Sequence, residues 1–330
     1  MKRRVNFFWI LYGIVLAVLF LLSSTDLIIK EEEAEIYPIS VIVGDTTDDN
    51  YVNFRKGMER AAIELNGDVN FITLYEKGSA SQQKELILRE QEDGSRALII
   101  DPVEAGMLAG MQKETRFTVP VILINAQREE AEKTENTACI TFDYYGMGRM
   151  LGEEIIKERS PEAAVYLLKD EKPDVAEGLF ARGLGDRLME ADCEMTSFTL
   201  PAEGEPEQIL EELTLGRSRK AVLAAANPES LLMAAELLAD AEGAAKWVQG
   251  LYGRGNTVPV LNYLERGIIR GLCVTDDFSA GYLSVKTAVE LAGRRSVMSS
   301  AEDMGYLESH YIRREDLRNE KYEKMLYPIE

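Results

Sequence analysis

The sequence predicts an α/β fold: two similar, doubly wound parallel-sheet lobes in tandem, preceded by one transmembrane helix. Three observations predict it. Short aliphatic and β-branched runs alternate with longer stretches of helical period, which is the signature of βαβ units. The alternation ends after a fifth strand and restarts near residue 148. An uninterrupted apolar run over residues 7–22 follows Lys2, Arg3 and Arg4.

The apolar run comes first. Carried to Ser24 it has 18 residues, which at ~1.5 Å each span about 27 Å, enough for a thin hydrocarbon core. The basic cluster precedes it, and Asp26 and Glu31, Glu32 and Glu33 follow. That asymmetry places the short tail in the cytoplasm and the bulk of the chain outside. A cleaved signal peptide is the competing reading. It has a core of ~7–15 residues and a small-residue cleavage site, which Leu22-Ser23-Ser24 supplies poorly. No cysteine follows the run for lipid attachment. The expectation is a single-pass protein of the cell membrane: residues 1–25 tail and anchor, 26–37 a charged spacer, the rest extracytoplasmic.

After Pro38 the elements follow in order. Strands are expected over 39–43, 69–74, 97–100, 121–124 and 140–142, with helices over 51–65 and 81–92 and a short one after Asp101-Pro102. The second series starts with a helix over 148–159 and a strand over 163–168. Its helices are expected at 175–191, 206–213 and 228–241, and its strands at 195–200, 221–225 and 247–250. A strand at 272–275, a helix at 280–291 and a weak strand at 306–311 close the chain. Each half has the size of an ordinary domain. Open parallel sheets bind ligands beyond the carboxyl ends of their strands, so two facing sheets imply a cleft.

Composition and motifs exclude several classes. A net charge of −20, with no basic block, argues against a nucleic-acid partner. Cys139, Cys193 and Cys273 have no CxxC spacing, and His310 is the lone histidine, so neither a zinc site nor a disulfide scaffold is expected. One bridge is conceivable; free buried thiols fit the odd count better. There is no GxSxG elbow and no phosphate-binding loop. Gly183-Leu184-Gly185 and Gly253-Arg254-Gly255 lack the third glycine of a dinucleotide fingerprint. Asp45, Asp48 and Asp49 lack a metal-binding spacing and read as a polar loop. No enzyme activity, cofactor or metal is expected.

Several segments, taken in order, resemble the periplasmic sugar-binding proteins of the ribose/galactose type, the type I periplasmic-binding-protein fold. ISVIVGDTTDDNYVNFRKGMERAAIEL looks like the first strand, ligand loop and helix; LIIDPVEAGML like the third strand and its turn; VPVILINAQ like the fourth. ITFDYYGMGRMLGEEI is similar to the first hinge crossing, YLERGIIRGLCVTDDFSAGYLSVKTAVEL to the return, and YIRREDL to the final strand. The resemblance implies a multi-strand hinge, with one lobe at 38–139 plus 276–305 and the other at 140–275 plus 306–330. It implies binding positions at Asp48, Tyr51, Asn125, Arg182, Asn227, Tyr252 and Thr275. Asn125-Ala126 stands where the family has an acid–arginine pair, and Tyr252 where it has an aspartate. Those losses imply a ligand other than an ordinary pentose or hexose, or weakened binding.

Three of these positions have a plainer reading as well. Arg182 offers a planar fork of donors but could pair with Asp186 one turn on. Asn227 could simply cap a helix, and Tyr51 could be a core residue at a helix start. The resemblance implies a small-molecule ligand, a sugar or polyol, bound by hinge bending. It implies a membrane partner too: an ABC-type permease that takes the ligand, or a sensor kinase that reads it.

Overall fold

The computed structural model describes residues 2–24, 35–114, 117–128, 136–170, 172–200, 220–240, 247–293 and 306–328. The chain divides into two compact units, Met1–Ile36 and Tyr37–Glu330. In the first, helix α1 (Lys2–Ser24) carries the apolar run, with side chains described over 7–21. Among the described residues no helix is long and apolar enough to cross a membrane. Most of the spacer, and the helix expected over 206–213, lie outside the described residues.

The second unit holds two six-stranded sheets. The first contains β1 (Tyr37–Ile42), β2 (Gly67–Ile72), β3 (Ala97–Ile100), β4 (Val121–Ile124), β5 (Thr137–Phe142) and a short β11 (Tyr306–Leu307), in the order β11-β5-β4-β3-β1-β2 and parallel throughout. The second contains β6 (Ala164–Asp170), β7 (Met195–Leu200), β8 (Ala221–Ala225), β9 (Val248–Arg254), β10 (Ile269–Thr275) and β12 (Ser309–Ile312), in the order β12-β10-β9-β8-β6-β7. Among the described strands of this sheet only β12 runs antiparallel. Both sheets wind the same way. Each has a switch point, between β1 and β3 and between β6 and β8, where a ligand crevice opens at the carboxyl ends.

Continuous apolar runs explain the central strands. Every residue of ALII in β3, VILI in β4 and AVLAA in β8 is buried, as strands covered on both faces require. The covering helices are α2 (Val52–Leu65), α3 (Ala80–Glu92), α4 (Met107–Glu114), α5 (Tyr144–Glu158), α6 (Val175–Met189), α7 (Pro228–Asp240), α8 (Val258–Glu265), α9 (Asp277–Gly293) and α10 (Glu320–Leu326). Phe180 of α6 is fully buried, a side chain whose removal from water contributes about 2–3 kcal/mol. Cys139, Cys193 and Cys273 are all buried.

The chain passes between the sheets three times: after Phe142, after Thr275 and after Leu307. Two expected boundaries shift accordingly. Residues 140–142 belong to the first sheet, because Ile140 pairs with Ile124. Tyr306 and Leu307 also belong to it, beside Thr141 and Phe142.

One packing device appears in both lobes. α2 crosses α9, and α5 crosses α6, each at a pair of facing glycines. A Cβ on Gly57 would overlap the Phe278 carbonyl, and one on Gly281 the Phe54 carbonyl. Likewise a Cβ on Gly148 would overlap the Phe180 carbonyl, and one on Gly183 the Tyr145 carbonyl. The Gly183-Leu184-Gly185 motif is therefore a helix contact.

Candidate functional site

A cavity of about 310 Å³ lies where the two switch points face each other, lined from both sheets. On the first-lobe side, Asp101 follows β3 directly. Buried Gln83 of α3 fixes the turn that carries it, donating to the Asp101 carbonyl at 2.7 Å and accepting from the Val103 amide at 3.0 Å. Tyr51, at the entry to α2, donates its hydroxyl to Asp101 Oδ2 at 2.8 Å. Asn125 Nδ2 donates to the same oxygen at 2.7 Å, and its Oδ1 accepts from the Tyr144 hydroxyl at 2.5 Å. Both donors take Oδ2 rather than Oδ1. Asn125 has φ 54°, a left-handed conformation that asparagine tolerates better than most residues. It turns the amide back toward the crevice.

Helix starts supply much of the second-lobe side. Asp174 caps α6, accepting from the Glu177 amide at 2.6 Å. Glu177 in turn accepts from the Asp170 amide at 2.8 Å, tying the end of β6 to the helix. Asn227, after β8, accepts from the Ser230 amide at 2.7 Å at the start of α7. Arg254 ends β9; its Nε donates to the Ala226 carbonyl at 3.1 Å, and its guanidinium lies over the Tyr144 ring, 5.0 Å from the centroid. At the second crossing, Asn256 donates to the Thr275 carbonyl and to Asp277 Oδ2, and the Thr275 hydroxyl donates to Asp277 Oδ1 at 2.7 Å.

Polar bridges join the two lobes at the mouth. Lys77 Nζ lies 2.9 Å from Asp170 and 3.5 Å from Glu229. Asn50 donates to Glu229 at 2.5 Å.

Burial and crowding set the site's electrostatics. Burial, and then the charge of Asp174, push the Asp101 carboxyl up to about 7, against the pull of Asn125 and Tyr51. Burial likewise lifts Glu177 to about 7, and raises Asp277 and both Tyr51 and Tyr144. Burial works to lower Lys77, but the charges of Glu229 and Asp170 outweigh it and the net shift is upward.

Four of the sequence-derived positions, Tyr51, Asn125, Asn227 and Thr275, line this cavity. Asn227 both caps a helix and lines the cavity. Three positions lie elsewhere. Asp48 pairs with Arg55 beside a separate shallow hollow on α2. Arg182 is exposed, its guanidinium 5.2 Å from the Tyr145 ring centroid, and Asp186 accepts from the Tyr145 hydroxyl instead. It sits seven residues past the start of α6, roughly 10 Å down the axis from the crevice. Tyr252 is 2% exposed, and its hydroxyl donates to Glu158 at 2.7 Å.

The reason for the Tyr252 displacement is strand length. β9 continues to Arg254, so the residue at its carboxyl end is the arginine, two positions on and on the same face. Asp101, Asp174, Glu177, Arg254, Asn256 and Asp277 are site residues that the sequence reading missed. Position at a strand end or helix start, rather than residue type, was the signal that could have found them.

Residues 39–295 match the model of a periplasmic binding protein domain. No curated protein matches the chain. Solved structures share the fold. One is an ABC transporter solute-binding protein from Agrobacterium vitis bound with α-D-tagatopyranose: 16% identical, covering 89% of this chain and 100% of that one, TM-score 0.73. Another is a solute-binding protein from Bacillus halodurans C-125 with bound myo-inositol: 18% identical, 89% and 99% covered, TM-score 0.71. A third is the XylFII–LytSN complex, 16% identical over 86% and 99%, TM-score 0.69.

Proposed function

We propose that the chain, which belongs to the periplasmic binding protein domain family, is an extracytoplasmic solute-binding protein for a sugar or sugar-like polyol, held at the membrane by α1. In this reading it binds without turnover, closes by hinge bending and delivers its ligand to an ABC-type permease. One observation carries the reading: the cavity between the switch points is lined by hydrogen-bonding groups of both lobes, with Tyr51, Asn125 and Asp101 on one side and Asn227 and Arg254 on the other. A ligand touching both sides favours the closed arrangement by its differential contacts. Tagatose and inositol in two structures of the same fold support a polyhydroxylated ligand. The anchor is supported by the apolar run 7–22 behind Lys2, Arg3 and Arg4.

The thermal stability of the full chain tests the ligand class. A ligand at about 100 times its Kd adds roughly 2.7 kcal/mol; a panel of sugars and polyols, neutral and charged, that leaves the melting temperature unmoved refutes the reading. A second reading, a tethered subunit that reports ligand to a sensor kinase, draws support from the similar protein solved in complex with LytSN. Cross-linking in native membranes separates the two: a permease recovered with the chain supports delivery, and a kinase supports sensing.

A further inference from the structure

Among the described residues, eight carboxylates but only three cationic side chains line the cavity. Two of those cations are engaged at its edge: Lys77 with Asp170 and Glu229, and Lys172 with Glu76. Among the described residues, Arg254 is the remaining cation, and its charge acts on Asp101, Asp174, Glu177 and Asp277. Each of these four is hydrogen-bonded to neutral groups, and none forms an ion pair among the described residues. An independent observation points to a ligand at the same place. Asn227 is 4% exposed and lines the cavity, yet its Nδ2 makes no hydrogen bond of good geometry, although it reaches toward Glu177. A buried donor left unpaired costs free energy that a ligand acceptor recovers.

We infer that the cavity takes a polyhydroxylated amine, a cationic sugar-like ligand whose ammonium group sits among the carboxylates while Arg254 and Asn227 hold its hydroxyl oxygens. The inference rests on the reading of this cavity as a sugar-like site and adds the ligand's charge. Like charges from opposite lobes meet in the cavity, since Asp174 raises Asp101. Closure around a neutral ligand leaves that repulsion in place, whereas an ammonium group between the carboxylates removes it. An organic cation fits better than a metal ion, because no group of three or more potential ligands is placed to hold one among the described residues.

Calorimetric titration of the full chain in detergent micelles tests this with matched pairs. Glucosamine is set against glucose and galactosamine against galactose. N-acetylglucosamine serves as the uncharged control, and ethanolamine and putrescine as amines without a sugar frame. An amino sugar is expected to bind roughly ten- to hundredfold more tightly than its neutral parent and its N-acetyl derivative. Asp101→Asn is expected to weaken the amino sugar far more than its neutral parent and so to remove most of that preference. Equal or tighter binding of the neutral sugar overturns the inference and leaves the proposed function standing. Ethanolamine or putrescine binding as tightly as the amino sugars overturns the sugar reading, and the inference with it. Silence from every probe overturns both, and binding of magnesium or calcium chloride in place of the amines overturns the inference in favour of a metal site.

Discussion

Replacing Asp101 by asparagine is expected to stabilise the ligand-free protein, increasingly as the pH rises from about 4 to 7. The carboxyl sits at an ordinary 3.8 when unperturbed and is pushed up to about 7 in the fold, first by burial and then by Asp174. The folded state therefore binds this proton more tightly than the unfolded chain does. The penalty for ionising it is absent below about pH 4, grows between pH 4 and 7, and is complete above pH 7. About three units at ~1.4 kcal/mol each set it at no more than about 4 kcal/mol. Asparagine is isosteric, and Tyr51 and Asn125 both donate to one oxygen, Oδ2. A single amide oxygen has two lone pairs to accept both, and the amide NH2 takes the cavity side. Melting curves of the full chain and of Asp101→Asn at pH 4.5 and pH 8 read the effect. The substitution should raise the melting temperature by several degrees at pH 8, at ~2–4 °C per kcal/mol, and change it little at pH 4.5. A variant that is less stable at pH 8, or shifted equally at both pH values, would refute the reasoning, because Asp101 would then be a well-compensated ion.

Other consequences follow from named contacts. Gly57→Ala or Gly148→Ala forces a Cβ into a facing carbonyl and should cost about 1–3 kcal/mol, read as a lower urea midpoint, whereas Gly110→Ala, with open space around it, should not. Arg254→Gln should weaken ligand binding by roughly tenfold or more while Arg182→Ala leaves it unchanged, in the same titration. Lys77→Met removes the ion pairs across the mouth; small-angle scattering should show a larger radius of gyration for the ligand-free variant than for the parent chain, and added salt should narrow the gap.

Much of the architecture is legible without coordinates, and the reasons are local. ALII, VILI and AVLAA read as buried parallel strands because such strands need apolar side chains on both faces. Elements that mix small and polar residues are harder. Thr137, Ala138 and Cys139 look unlike a strand yet pair with β4, and Gly253 and Arg254 extend β9 past the point where its apolar character ends. The site follows the same division. Asn125, Asn227 and Thr275 stand directly at strand ends, where chain position alone brings them to the crevice. Arg182 and Tyr252 depend on how far a helix or strand runs before the side chain is reached, and an error of two residues in a strand, or two turns in a helix, moves a group out of the cavity. Asp101 was visible as the residue after ALII, but its partners Tyr51 and Asn125 come from other elements and only the fold assembles them.

Hydrogen exchange of the full chain, with and without the sugar or amino sugar that shifts its melting, tests the binding site most directly. Ligand should slow exchange in the segments around Tyr51, Asp101, Asn125, Asp174, Asn227 and Arg254, which come from both lobes, and leave the segment around Arg182 unchanged. Protection confined to one lobe, or centred on the hollow beside Asp48 and Arg55, would contradict a ligand closed between the two sheets.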